Sequence, residues 1–138
     1  MVTWARRTPL LLAAITLPIF LGCSDSSGPG TINPTGTFTG AASGISGGVP
    51  ATGTLTFTLA QSGLSITGTW TNSFGASGTG TATLSGTTLT FSLTQNNPCA
   101  GTFSGSATVQ NNGNRLSGSY SGSDCAGAGS GTFVVNRT

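Results

Sequence analysis

Very few side chains in this sequence can move a proton, attack a carbon or hold a metal. There are three cysteines (Cys23, Cys99 and Cys125), two carboxylates (Asp25 and Asp124) and one tyrosine, Tyr120, with no histidine, lysine or glutamate. The many Ser and Thr hydroxyls are weak nucleophiles until a base takes their proton, and no imidazole or amine is present to do so. Glycoside hydrolysis needs two positioned carboxyl groups, and Asp25 lies in a turn-rich stretch far from Asp124. Two cysteines without histidine make a poor zinc set. A non-catalytic protein with neither metal nor cofactor is therefore expected. Asp124 reads first as a loop residue, with ligand contact as its alternative. Arg115 and Arg137 are the only cations beyond the N-terminal region, too few for the basic stripe that nucleic acid requires.

The elements that position these residues begin with a distinct N-terminus. Arg6 and Arg7 precede the apolar run 10–21, the order of a secretory signal. That run is well short of the roughly 20 residues of a membrane-spanning helix. It ends in Phe20-Leu21-Gly22-Cys23, which resembles the lipobox of bacterial lipoproteins. The resemblance implies a cleaved signal over 1–22, lipid on Cys23, and stable attachment through several acyl chains. Ser24, where retention in the inner membrane is signalled by Asp, implies an outer-membrane address. Residues 23–35 are rich in Ser, Gly and Pro without periodicity and read as a flexible tether.

From residue 36 to 138 apolar and hydroxyl residues alternate with a period of two, the pattern of half-buried strands. Thr54-Leu55-Thr56-Phe57-Thr58-Leu59 and Thr88-Leu89-Thr90-Phe91-Ser92-Leu93 are the clearest cases. Strands are predicted over 37–41, 54–59, 64–70, 79–84, 88–93, 102–109, 115–121 and 132–136, with no helical pattern. This predicts an all-β domain, an eight-stranded antiparallel up-and-down meander closing into a small barrel, with a β-sandwich as the alternative. Gly53 to Trp70 and Gly101 to Tyr120 share a pattern that duplication or composition alone would produce.

Gln61-Ser62-Gly63, Ser85-Gly86 and Asn111-Asn112-Gly113-Asn114 read as tight turns, whereas 43–52, 73–77, 96–100 and 123–130 read as longer loops. A meander alternates its connections between two ends, so the tight turns share one end and the long loops the other. Cys99 and Cys125 both fall in long loops and are predicted to form a disulfide, as an exported domain permits.

On the inward face, Leu59, Leu64, Leu84, Leu89, Val109, Leu116 and Val135 would plug the tight-turn end. Towards the long loops that face carries Gly78, Gly80, Gly101, Gly122 and Gly131 among Trp70, Phe103 and Tyr120. The missing side chains would leave either an apolar mouth lined by these aromatics with Leu55 and Leu93, or only tighter coiling and a filled interior, which the short strands favour. Ile66-Thr67-Gly68-Thr69-Trp70-Thr71-Asn72 resembles the Gly-Thr-Trp strand of avidin-type barrels, which, like lipocalin-like ones, are up-and-down meanders. The resemblance implies a ligand contact at Asn72. It lies here on the third strand rather than the first, and no other tryptophan follows Trp4.

Two functions are compatible with these features. One is a structural or interaction module of the cell envelope, meeting a protein or glycan. The other is a carrier of a small apolar ligand held by Trp70, Phe103, Tyr120, Leu55, Leu93 and Asn72. The module is favoured, because no convergent polar group marks a pocket, and a monomer is expected in either case. Replacing Cys23 by Ser is expected to shift the protein from the membrane fraction to the soluble fraction, and retention in the membrane would overturn the anchor.

Overall fold

The computed structural model describes residues 32–138. The expected signal (1–22), the expected lipidation site Cys23 and most of the expected tether lie outside the described residues. Eight strands run in chain order: β1 (Gly36–Ser46), β2 (Val49–Ser62), β3 (Ser65–Asn72), β4 (Ser77–Ser85), β5 (Thr88–Asn97), β6 (Gly101–Gln110), β7 (Arg115–Asp124) and β8 (Gly127–Arg137). Each pairs antiparallel with its sequence neighbour, and β8 returns to β1, from Phe38↔Arg137 to Ser46↔Gly129, to close the barrel. That pairing excludes the sandwich. Closure satisfies the backbone hydrogen bonds of every strand without leaving an edge. The barrel therefore completes its sheet and its core from its own residues.

The alternation resolves into two faces. Phe38, Phe57, Ile66, Leu84, Leu89, Val109, Leu116, Phe133 and Val135 are buried inside, and each such side chain contributes on the order of 1.5–3 kcal/mol through burial. The expected aliphatic plug is present but is capped by aromatic rings. Phe133 packs edge-on against Phe57 at 5.5 Å and lies 5.9 Å from Phe91. Leu64 departs from the expected inward set. It lies in the turn after Gly63 (φ +61°), one residue before β3, and is exposed. The period of two holds only within the pleated strand, and Ile66 takes the inward place.

The strands are longer than the alternation alone indicated, and they lengthen at one end. The segments expected as long loops at 43–52 and 123–130 are strand nearly throughout: β1 and β2 meet across Gly47-Gly48, and β7 and β8 across Cys125-Ala126. Both glycines of the first turn have positive φ, +56° and +83°, which a two-residue hairpin turn requires. The other connections at this end are Ser73 to Ala76 and Pro98 to Ala100, and at the opposite end a 3₁₀ turn over Asn111–Gly113 joins β6 to β7.

The tight-turn end is sealed by a segment assigned above to the tether. Pro34 is fully buried, and Ile32 packs against the core. The Arg137 guanidinium holds this segment in place. It donates to the carbonyls of Thr35, Asn33 (2.9 Å) and Gly113 (2.9 Å), with its Nε on Asn114 Oδ1 (2.9 Å). It also lies 4.9 Å from the centre of the Phe38 ring. Among the described residues, Ile32 to Thr35 thus pack with the barrel that follows from Gly36. Flexible composition was overridden because Arg137 offers a planar fork of donors to three carbonyls at once. Replacing Arg137 with Ala is expected to cost about 2 kcal/mol in urea unfolding and to expose Ile32 to Thr35 to hydrogen exchange. Lys should restore little of it.

Candidate functional site

Above the aromatic layer the interior opens. A void of about 40 Å³ lies among Phe57, Ile66, Trp70, Phe91, Leu93 and Phe133. Beyond it, a cavity of about 400 Å³ reaches the end that carries the Cys99 and Cys125 loops. That volume falls within the range of small-molecule sites. The filled interior favoured on strand length is therefore not what forms, because the strands at this end are longer than expected and raise a wall around the opening.

Glycines on the inward face shape that wall. A Cβ at Gly78 would sit against the Thr94 carbonyl oxygen, and one at Gly122 would lie 2.6 Å from Phe103 Cα. These positions let neighbouring backbones approach as the sheet coils tightly. Coiling and an open mouth thus occur together rather than as alternatives.

Trp70, Phe103, Tyr120, Leu55, Leu93 and Asn72 all line the mouth cavity. Leu55 and Trp70 are buried, and Phe103 meets Tyr120 edge-to-face at 6.2 Å with planes 79° apart. Burial pushes the Tyr120 phenol above its ordinary pKa and favours the neutral form. Asn72 is largely committed to the protein: its Oδ1 accepts from the backbone N–H groups of Phe74 and Ala76, both at 3.0 Å, and shapes the turn after β3. Only its amide NH₂ is left to offer a ligand. Trp70 is 5% exposed, and its indole N–H has no acceptor among the described residues. A buried donor left unpaired costs about 1–3 kcal/mol, which an acceptor arriving in the cavity would recover.

The cavity also has a polar corner that was missed. Gln95, at 3% exposure, is the buried polar residue of the described core. Its Nε2 donates to Asp124 Oδ2 at 3.1 Å and to the Cys99 carbonyl at 3.2 Å. Asp124 Oδ1 in turn accepts from the Ala126 N–H at 2.8 Å. Gln95 continues the inward parity of Leu89, Phe91 and Leu93, so carrying the alternation two residues further would have found it. Asp124 is the last residue of β7 rather than a loop residue, and with Gln95 it lines the cavity. Ile45, Val49 and Phe74, three of the exposed large apolar side chains, stand on the rim. The pair Ile45 and Val49 flanking Gly47-Gly48 is a hairpin signal that was read as loop.

Cys99 and Cys125 are joined by a disulfide with Cα atoms 6.1 Å apart, linking the connection after β5 to the turn after β7. The bridge lies directly beside the Gln95 and Asp124 corner, since Gln95 bonds Cys99 and Asp124 precedes Cys125. Among the described residues, no group of three or more His, Cys, Asp or Glu side chains could hold a metal. Closing a loop of 26 residues stabilises the barrel by about 3.5 kcal/mol on the chain-entropy account. The Cys99→Ala, Cys125→Ala double variant should lose about that amount in denaturant unfolding, and its hydrogen-exchange protection should fall first around Gln95 and Asp124.

No known family model matches the chain, and no curated protein sequence does. Among solved structures it is similar to EF1p2_mFAP2b, described as bound to DFHBI. The alignment covers 75% of this chain and 93% of that one, at 17% sequence identity and a TM-score of 0.61. A likeness at that identity establishes the shared barrel fold.

Proposed function

We propose that this protein is an exported, lipid-anchored, non-catalytic barrel that binds a small and mainly apolar molecule in its open mouth. The observation that carries this reading is the cavity of about 400 Å³ walled by Trp70, Phe103, Tyr120, Leu55 and Leu93 above a sealed floor. It reverses the preference for a purely structural module. That preference rested on the absence of convergent polar groups, and Gln95 and Asp124 now line the same cavity as Trp70. The fold shared with a barrel described as bound to DFHBI supports the reading, in that an interior of this kind accommodates a small molecule.

Lipidation at Cys23 fits the same geometry. Asn33, Thr35 and Arg137 meet at the closed end, so an anchor preceding Ile32 would hold the mouth away from the membrane, the outer one on the reading of Ser24. The apolar rim of Ile45, Val49 and Phe74 favours a second reading, contact with an envelope protein or glycan around that mouth.

Trp70 is the only tryptophan in the chain from Ser24 onward, which makes it a site-specific reporter. Titrating that chain with DFHBI and a panel of lipophilic dyes should give a saturable change in Trp70 fluorescence. Ala42→Phe, which places a ring in the cavity from an inward position on β1, should weaken it at least about tenfold. A folded protein that gave no response to any of the panel would leave the envelope-contact reading in its place.

A further inference from the structure

The described charges are divided along the barrel axis. Arg115 opens β7 beside the 3₁₀ turn, and Arg137 closes β8 on the sealed floor, whereas Asp124 stands at the opposite end. Asp124 is the only charged side chain lining the mouth cavity, and the described cations are a barrel length away. Its carboxylate is nevertheless held in a fixed orientation, Oδ1 by the Ala126 N–H and Oδ2 by the Gln95 amide. Each oxygen keeps acceptor capacity beyond that one bond. Trp70, Phe103 and Tyr120 line the same cavity, and aromatic rings attract cations.

We infer that the mouth selects an organic cation, an apolar body ending in a protonated amine, with the ammonium at Asp124 and the body lying against Trp70, Leu55 and Leu93. This rests on the mouth being a binding site and adds the charge and polarity of its occupant. An ammonium donates where the carboxylate still accepts, and it is attracted to the aromatic walls. An anion of the same shape meets a carboxylate with no cation near it among the described residues to relieve the repulsion. A neutral alcohol gains only the apolar contacts. Asp124, at the mouth end of β7, is only partly buried, so a head group there stays next to water, where its desolvation costs least.

The test is a matched series on the chain from Ser24 onward: octylammonium, 1-octanol and octanoate, followed by Trp70 fluorescence below their aggregation concentrations. Octylammonium should bind about tenfold more tightly than 1-octanol, with octanoate weakest, and added salt should erode the preference for the cation. Asp124→Asn should bring octylammonium down to the level of the alcohol. If the Asn variant does not fold, the salt dependence of the unmodified chain decides the same question. Equal binding of all three, or tightest binding of octanoate, overturns the cation assignment and leaves the mouth as a site for apolar molecules. Silence from all three in a folded protein removes the binding reading and this inference with it.

Discussion

Closure of the sheet, through the pairing of β1 with β8 from Phe38↔Arg137 to Ser46↔Gly129, is the interaction on which the remainder of the molecule depends. An open meander of this composition would present two unpaired edges and a broad apolar face, with almost no charge to keep other chains away. Bringing the two edge strands together removes both edges and turns one face into an interior. The circumference of eight strands then leaves room for side chains but little more. Any opening must therefore come from what the inward positions lack or from how far the wall extends.

Both factors operate at one end only. At the floor, Phe38, Val135 and Pro34 are completely enclosed, and Arg137 ties the incoming chain across them. At the mouth, inward glycines remove volume while the hairpin of β1 and β2 projects past the end of β3, since Leu55 is the residue of β2 that meets Asn72. The disulfide links two of the connections around this opening, which conformational entropy would otherwise loosen. It also holds the Gln95 and Asp124 corner in place. The axial asymmetry of packing is thus also an asymmetry of polarity and charge.

The exterior is built on a different principle. Thr37, Thr58, Thr69, Thr79, Thr94 and Thr102 are register partners in succession around the barrel and form a row of hydroxyls across six strands. β-Branched residues suit an extended backbone, and their hydroxyls keep the outer face wet without charge. The outer face is thus polar without any lysine or glutamate. One consequence is that the isolated carboxylate at the mouth stands out against a neutral background.

The alternation of Leu, Phe and Thr sufficed to determine strand number, antiparallel meander and the two ends, because side-chain direction in a pleated strand depends only on parity. The same logic brought Trp70, Phe103, Tyr120, Leu55 and Leu93 to one end and paired Cys99 with Cys125. Parity is silent on where a strand stops, which is why Gln95 was missed and the Gly47-Gly48 hairpin was read as a loop. It is equally silent at turns, which is how Leu64 came to be counted inside. Only the folded chain decided that Ile32 to Thr35 form the floor, since that depends on one guanidinium meeting three carbonyls, two of them more than a hundred residues away in sequence. Only it decided that the mouth is open, because a cavity is the difference between the volume a wall encloses and the volume its side chains fill, and the sequence states the second without the first.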